Sequence, residues 1–482
     1  MKKYYSFFLL LLLVLCSCGE NPTVTPTVNP VIPTEPTEPT VEEPTCLLCK
    51  NFPTASKIEH QDLPAHTPTT FDLTTISKDV KDLCEGVTQT TWSFAKTNGN
   101  ISKVVTTEVD LKYASIAAGT YENQINTLTL STVSNHAIYY EVYNPDKMVV
   151  AATNADYFGN NKPVNAFVKD SHIIKNSHND TGIYDYKNEK ADLPASMPML
   201  FGISGNTAQI APMIKNASVQ DTVKAKLSYK LELLREETSS VLTDKVVINK
   251  YGDKQNVNIV YDSSMQVTAY EGSMVLKLKK HELDSTRVHG EVISIETAAS
   301  FSNYPVTDEE YCIVIPKELG LTDFKIGDII SYYITSPDDT WKYYDTILGC
   351  RHALVVDGNI ADTLNLEYSN GAKNSGVPRT SIGVMPNGNV VIFSVEGLRY
   401  GNKSSSDTDP YGLNLLELAD FMRYYGVYSG ANFDGGGSTQ LITRNFTTNE
   451  FEVTVRSSDF GTTILDNSRG VINSILVTKK YE

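Results

Sequence analysis

Short runs of β-branched and aromatic residues, set apart by turn residues, recur from about Val87 onward and predict a β-rich globular region. Val104 to Leu111, Ala137 to Val142, Val246 to Tyr261, Met274 to Leu278, Cys312 to Ile315 and Val390 to Val395 read as strands. Asp357-Gly358 and Asn387-Gly388 sit between apolar runs and predict hairpin turns. Leu227 to Glu237, flanked by polar residues, reads as a candidate helix. A second helix carries more signals. Leu415, Leu418, Ala419, Met422 and Tyr425 share one face at helical spacing. Asn414 suits its N-cap, Glu417 stands three residues on as in a capping box, and Gly426 closes it. Val427 to Phe433 and Gln440 to Thr443 then read as two further strands.

The implied fold class is α+β, a β-rich mixed sheet with packed helices, interrupted by a smaller β-rich lobe. Residues 224–340 are expected to form that inserted lobe within a catalytic region spanning 53–482. The N-terminal stretch differs in kind. Lys2 and Lys3 precede an apolar run from Phe7 to Leu15, too short for a mature membrane span and suited to a secretory signal. Leu15-Cys16-Ser17-Cys18 resembles a bacterial lipoprotein cleavage box, so residues 1–18 are expected to be a signal ending at a lipidated Cys18. An ordinary signal peptide cut nearby is the alternative. Residues 19–52, rich in Pro, Thr and Glu, cannot bury a core and predict an extended tether. Together these features place the protein in the cell envelope, outside the cytoplasm and held to the membrane by its lipid.

Net charge is -16, which argues against nucleic acid as a partner and leaves room for an anionic substrate held by local arginines. Five cysteines remain beyond Cys18: Cys46, Cys49, Cys84, Cys312 and Cys350. Cys46 and Cys49 have CxxC spacing, but no second pair and no histidine pair at ligand spacing accompany them. A structural disulfide or an inert pair is therefore expected. No cofactor is implied. No calcium-loop spacing occurs, and a divalent metal stays open.

The chemistry concentrates in Asn432-Phe433-Asp434-Gly435-Gly436-Gly437-Ser438-Thr439. Three adjacent glycines cost conformational entropy and contribute nothing to a core. Their backbone N–H groups can cradle an anion beside the Asp434 carboxylate. The glycines join strand to strand, whereas a nucleotide loop would open a helix. Four other stretches mix polar residues with apolar context or glycine. They are Ala151 to Phe158 with Asn154 and Asp156, Pro378 to Gly383 with Arg379, Ser394 to Gly397 with Glu396, and Arg469 to Asn473.

Taken in order, these stretches resemble the phosphodiester glycosidase family over about Val87 to Lys479. Asn432 to Ser438 is similar to the family's Asn-Leu-Asp-Gly-Gly-Gly-Ser, and Arg379 to Gly383 to its Arg-Thr-Ala-hydrophobic-Gly. Gly412 to Glu417, Asn154 to Phe158 and Gly349 to Gly358 are similar to three more of its motifs. The chain departs from the pattern at Glu396-Gly397-Leu398, at Ala155 and at Cys350.

The resemblance implies hydrolysis of a sugar-1-phosphodiester, for example a GlcNAc-1-phosphodiester, at the anomeric carbon of a surface or extracellular glycan. Such cleavage passes through an oxocarbenium-like state that a carboxylate can serve. The departing phosphate needs arginine forks and backbone donors more than a strong acid. Asp434 and Glu396 are the expected carboxylate pair. Arg379, Arg469, Gly435, Gly436, Gly437 and Ser438 are expected to bind phosphate, and Asn154, Asn432 and Thr439 to orient the sugar. Each has a plainer reading, as turn, cap or structural ion pair. A surface module that binds phosphorylated glycan without turnover is the rival function.

Overall fold

The computed structural model describes residues 58–122, 128–178, 197–235, 238–248, 254–260, 267–281, 287–299, 302–304, 306–307, 309–366, 376–399, 406–465 and 468–481. Cys18, the tether and the Cys46–Cys49 pair lie outside them. The strands of interest are β1 (Ile101–Val109), β2 (Lys147–Asn154), β3 (Thr346–Val356), β4 (Arg379–Val384), β5 (Val390–Glu396), β6 (Ser429–Asn432), β7 (Leu441–Asn445), β8 (Glu450–Val455) and β9 (Ser474–Lys480). The two longer helices are α1 (Val133–Tyr143) and α2 (Leu415–Tyr425).

Strands dominate every layer, which overturns the α+β expectation: the fold is essentially all-β with a few helices laid on its sheets. A 12-stranded sheet runs Ser77–Cys84, Val87–Ala95, β1, β5, β4, β6, β3, Pro198–Ser204, Thr207–Ala211, with three short strands attached to it. A 5-stranded sheet runs β8, β7, β2, β9, Ser115–Gly119. Residues 228–335 supply an 8-stranded sheet whose apolar face shares a core with Val168, Leu200, Trp341 and Ile347.

Two local readings were decided by pairing rather than composition. Leu227 to Glu237 holds a strand, Ser228–Arg235, and not a helix. Its Leu231 and Leu233 stand two apart, and it is bonded to Thr238–Thr243 on one edge and Ile329–Thr335 on the other. Conversely, Ala137 to Val142 lies inside helix α1. There the Thr132 hydroxyl accepts from the Asn135 N–H, and Val133 and Ala137 are buried four residues apart. The expected strand over Val246 to Tyr261 divides into Val246–Ile248 and Val257–Val260, which pair in parallel.

Helix α2 forms as the sequence dictates. Asn414 and Glu417 make a reciprocal capping box, and Gly426 ends the helix at φ 103°. Its buried face carries Leu415, Leu418, Ala419, Phe421 and Met422. Phe421 stacks on Phe94 at 5.2 Å and meets Trp92 edge-on at 5.6 Å, which fastens the helix to the large sheet. Burying a side chain of this size contributes about 1.5–3 kcal/mol.

Candidate active site

The site forms where one end of the large sheet meets the 5-stranded sheet. Arg379 opens β4 opposite Val395 of β5, and Ser381 pairs with Asn432 at the end of β6. Asn154 ends β2 opposite Ser474 of β9. The two sheets are joined by Asn154 Nδ2 donating to the Asp434 carbonyl at 2.8 Å, and by the Asp434 N–H donating to the Ala155 carbonyl at 2.9 Å. Asn154 Oδ1 accepts from the Thr380 hydroxyl at 2.7 Å. Asn154, Asn432 and Thr439 are fully buried, so they form the frame behind Asp434 rather than a surface open to a sugar.

Asp434 is half-buried, and the Gly435 N–H donates to its Oδ1 at 2.9 Å. Burial pushes its pKa up to about 6, against donors from Ser438 and Gly435 and the charges of Arg469 and Arg379. The three glycines each have a reason to lack a side chain. A Cβ on Gly435 would lie 2.7 Å from the Pro378 carbonyl, Gly436 sits at φ +61°, and a Cβ on Gly437 would strike the Asp459 carboxylate. The anion cradle is narrower than the sequence suggests, because the Gly435 N–H serves Asp434 and the Gly436 N–H donates to Pro378. Asp459 also accepts from Arg469 Nε at 2.6 Å, which fixes that guanidinium beside the loop. Arg379 Nε donates to the Leu413 carbonyl at 3.2 Å.

Glu396 is placed differently from its expected role. Its carboxylate is fully buried, accepting from Lys103 Nζ at 2.7 Å and from Arg456 Nε at 2.7 Å. β4 stands between its strand and β6, so its backbone is about 10 Å across the sheet from that of the glycine loop. The neighbouring Ser457 hydroxyl donates to the Gly437 carbonyl at 2.6 Å. The ion pair thus secures the chain segment that supports the glycine loop.

The second carboxylate beside Asp434 is Asp156. It is almost fully buried and accepts from the Asn165 N–H at 2.9 Å and from Asn165 Nδ2 at 2.5 Å. Burial raises its pKa to about 7; Asn165 and Arg351 oppose that rise, and the charge of Asp434 adds to it. Arg351 and His352 arrive through a bulge in β3, where Arg351 pairs with Asn432 and Ala353 with Ala431. His352 is the extra residue, held at φ 60°, and burial with the charges of Arg379 and Arg351 lowers its pKa to about 3. Arg351 Nε donates to Asn165 Oδ1 at 3.1 Å, and Lys175 feels both Asp156 and Arg351. Two carboxyl groups titrating near neutrality, ringed by Arg351, Arg379, Arg469 and Lys175, can exchange a proton while holding an anion.

Among the described residues no group of three or more His, Cys, Asp or Glu is arranged to hold a metal ion. A cavity of about 400 Å³ lined by His60, Met199, Val384 and Tyr428 lies at the other end of β4 and β6. Its position separates it from this chemistry.

The model of the phosphodiester glycosidase family matches residues 286–478, a stretch that includes Arg379, Glu396, Asp434 and Arg469. The family resemblance read from the motifs holds over that stretch. No curated protein matches the chain. Among solved structures, a hypothetical protein from Synechocystis is similar at 14% identity and TM-score 0.44, covering 84% of this chain; this chain spans 64% of that protein. A putative exported protein from Burkholderia pseudomallei is similar at 12% identity and TM-score 0.43, over 88% of this chain and 100% of its own. The zebrafish N-acetylglucosamine-1-phosphodiester alpha-N-acetylglucosaminidase catalytic domain, auto-inhibited by its pro-peptide, is similar at 12% identity and TM-score 0.37, over 92% of this chain and 94% of its own.

Proposed function

We propose that this protein hydrolyses a sugar-1-phosphodiester, such as a GlcNAc-1-phosphodiester, in a surface or extracellular glycan. The observation that carries this reading is the pair Asp434 and Asp156, with pKa values raised to about 6 and 7 among Arg351, Arg379, Arg469 and Lys175. A water oxygen bonds to the anomeric carbon as the bond from that carbon to the phosphate oxygen breaks. The electron pair leaves with the phosphate, and the water proton passes to a carboxylate. Asp434 serves the water, because it is the more exposed of the two carboxylates. Below about pH 7 Asp156 holds its proton and spares the site a second negative charge. Arg379 and Arg469 hold the phosphate with Ser438 beside them, stabilising the charge that develops on the leaving group.

Glu396 acts through its ion pairs, by holding Arg456 and the strand next to the glycine loop. In the cell the enzyme is anchored outside the cytoplasm through Cys18 and held off the membrane by residues 19–52. The test is release of phosphomonoester from a GlcNAc-1-phosphodiester by the purified chain, beside Asp434→Asn and Arg379→Gln. Turnover lost in the first variant, with KM raised in the second, supports the reading. Saturable binding with no product would assign the site to glycan binding alone.

A further inference from the structure

Helix α2 carries a cation that the proposed reaction does not use. Arg423 is 6% exposed, yet its only hydrogen bond among the described residues is from Nη1 to the Val427 carbonyl at 3.4 Å. Capping a helix end explains that one contact and leaves the other N–H groups of the guanidinium unused. A guanidinium this buried, with one long hydrogen bond and no ion pair among the described residues, is costly, so its retention points to a partner that arrives from outside.

The nearest acid along the helix is already engaged. Asp420 Oδ1 is 2.6 Å from His66 Nε2, and Oδ2 accepts from Thr69 N, Thr70 N and the Thr70 hydroxyl at 2.8, 2.9 and 2.7 Å. Arg423 instead lines a cleft of about 780 Å³, together with His66, Asp357, Asn359, Asp362 and Thr363. Asp357 and Asp362 are exposed. The cleft is distinct from the Asp434 site. The Gly358 N–H donates to the carbonyl of Tyr428, just before β6 begins, whereas Asp434 follows the end of that strand.

We propose that this cleft is a second ligand site, for a small anionic sugar. The carboxylate or phosphate of the ligand occupies the guanidinium of Arg423, and its hydroxyls donate to Asp357 and Asp362. The arrangement favours a sugar over a bare anion. Two carboxylates on the cleft wall repel a compact dianion, while each can accept from a hydroxyl. Burial alone depresses the pKa of Arg423, as expected of a cation with no acid paired to it among the described residues.

Calorimetric titration of the full chain with glucuronate, glucose 6-phosphate and glucose tests this. An Arg379→Gln background removes the proposed phosphate site near Asp434 from the measurement. Both anionic sugars are expected to bind, with glucose at least tenfold weaker, and the tighter of the two identifies the anion the site takes. Arg423→Gln should weaken binding at least tenfold. Arg423→Lys, which keeps the charge and the helix, should weaken it three- to tenfold, and it supplies the answer if the Gln variant does not fold. In an otherwise unaltered chain, Arg423→Lys should leave phosphodiester turnover unchanged. Equal affinity of glucose and glucuronate, binding undiminished in the Arg423 variants, or no binding of either anion at millimolar concentration would overturn the proposal.

Discussion

Replacing Glu396 with Gln keeps the shape of the side chain and removes its charge. The carboxylate is fully buried, and each oxygen faces a cation, Lys103 on one side and Arg456 on the other. Taking one charge out of such a buried arrangement costs roughly 3–5 kcal/mol, because the remaining charges lose their counter-ion. Lys103 and Arg456 keep 34% and 30% of their side-chain exposure, so water recovers part of their solvation. The expected loss therefore lies at the low end, about 3 kcal/mol. Urea unfolding followed by the fluorescence of the core residues Trp92 and Trp341 measures it. Under conditions where the variant is folded, its kcat should stay within about tenfold of the parent. A proton-transferring group would instead lose roughly 10²–10⁴-fold. Unchanged stability together with a thousandfold fall in kcat would refute this reasoning and restore Glu396 to the reacting pair.

The activity profile should be bell-shaped, rising through about pH 6 and falling through about pH 7, the two values belonging to the Asp434–Asp156 pair; a flat kcat/KM from pH 5 to 8.5 would contradict it. The raised pKa of Asp156 also carries a stability sign: between the unfolded value of about 3.9 and about 7 the folded chain holds the extra proton, so stability falls as pH rises. The effect amounts to about 4 kcal/mol, and the difference in unfolding free energy between the parent and Asp156→Asn, measured at pH 4.5 and pH 8, should shift by an amount of that order. Gly436→Ala should cost about 1–2 kcal/mol for its left-handed backbone and leave KM near the parent value. Gly437→Ala should raise KM, because its Cβ would displace the Asp459 carboxylate that holds Arg469.

What could be read in the sequence was local. The capping box of α2, the turn glycines at Gly358 and Gly388, and the strand-to-strand placement of Asp434 depend on near neighbours, and the structure has them. Leu227 to Glu237 and Ala137 to Val142 were misread because sheet edges and helix capping outweighed intrinsic preference. Asp434 and Arg379, which the motifs single out, are brought within reach of each other's charge. The carboxylate set beside Asp434 is Asp156 rather than the expected Glu396. What brings Asp156 to Asp434 is a contact between Asn154 and Asp434 that spans 280 positions of sequence. A carboxylate inside the apolar run Ala151 to Phe158 was the available signal. Arg351 and His352 gave a similar one, two polar residues in the middle of the buried strand β3, which bulges where Arg351 pairs with Asn432, two residues before Asp434.

The most direct test of the account is the steady-state release of phosphomonoester from a GlcNAc-1-phosphodiester by the parent chain and by Asp434→Asn, each confirmed folded by circular dichroism. The account predicts measurable turnover in the parent and a loss of at least a hundredfold in kcat for the variant, with binding retained. Equal turnover in both, or no turnover in the parent, would contradict it.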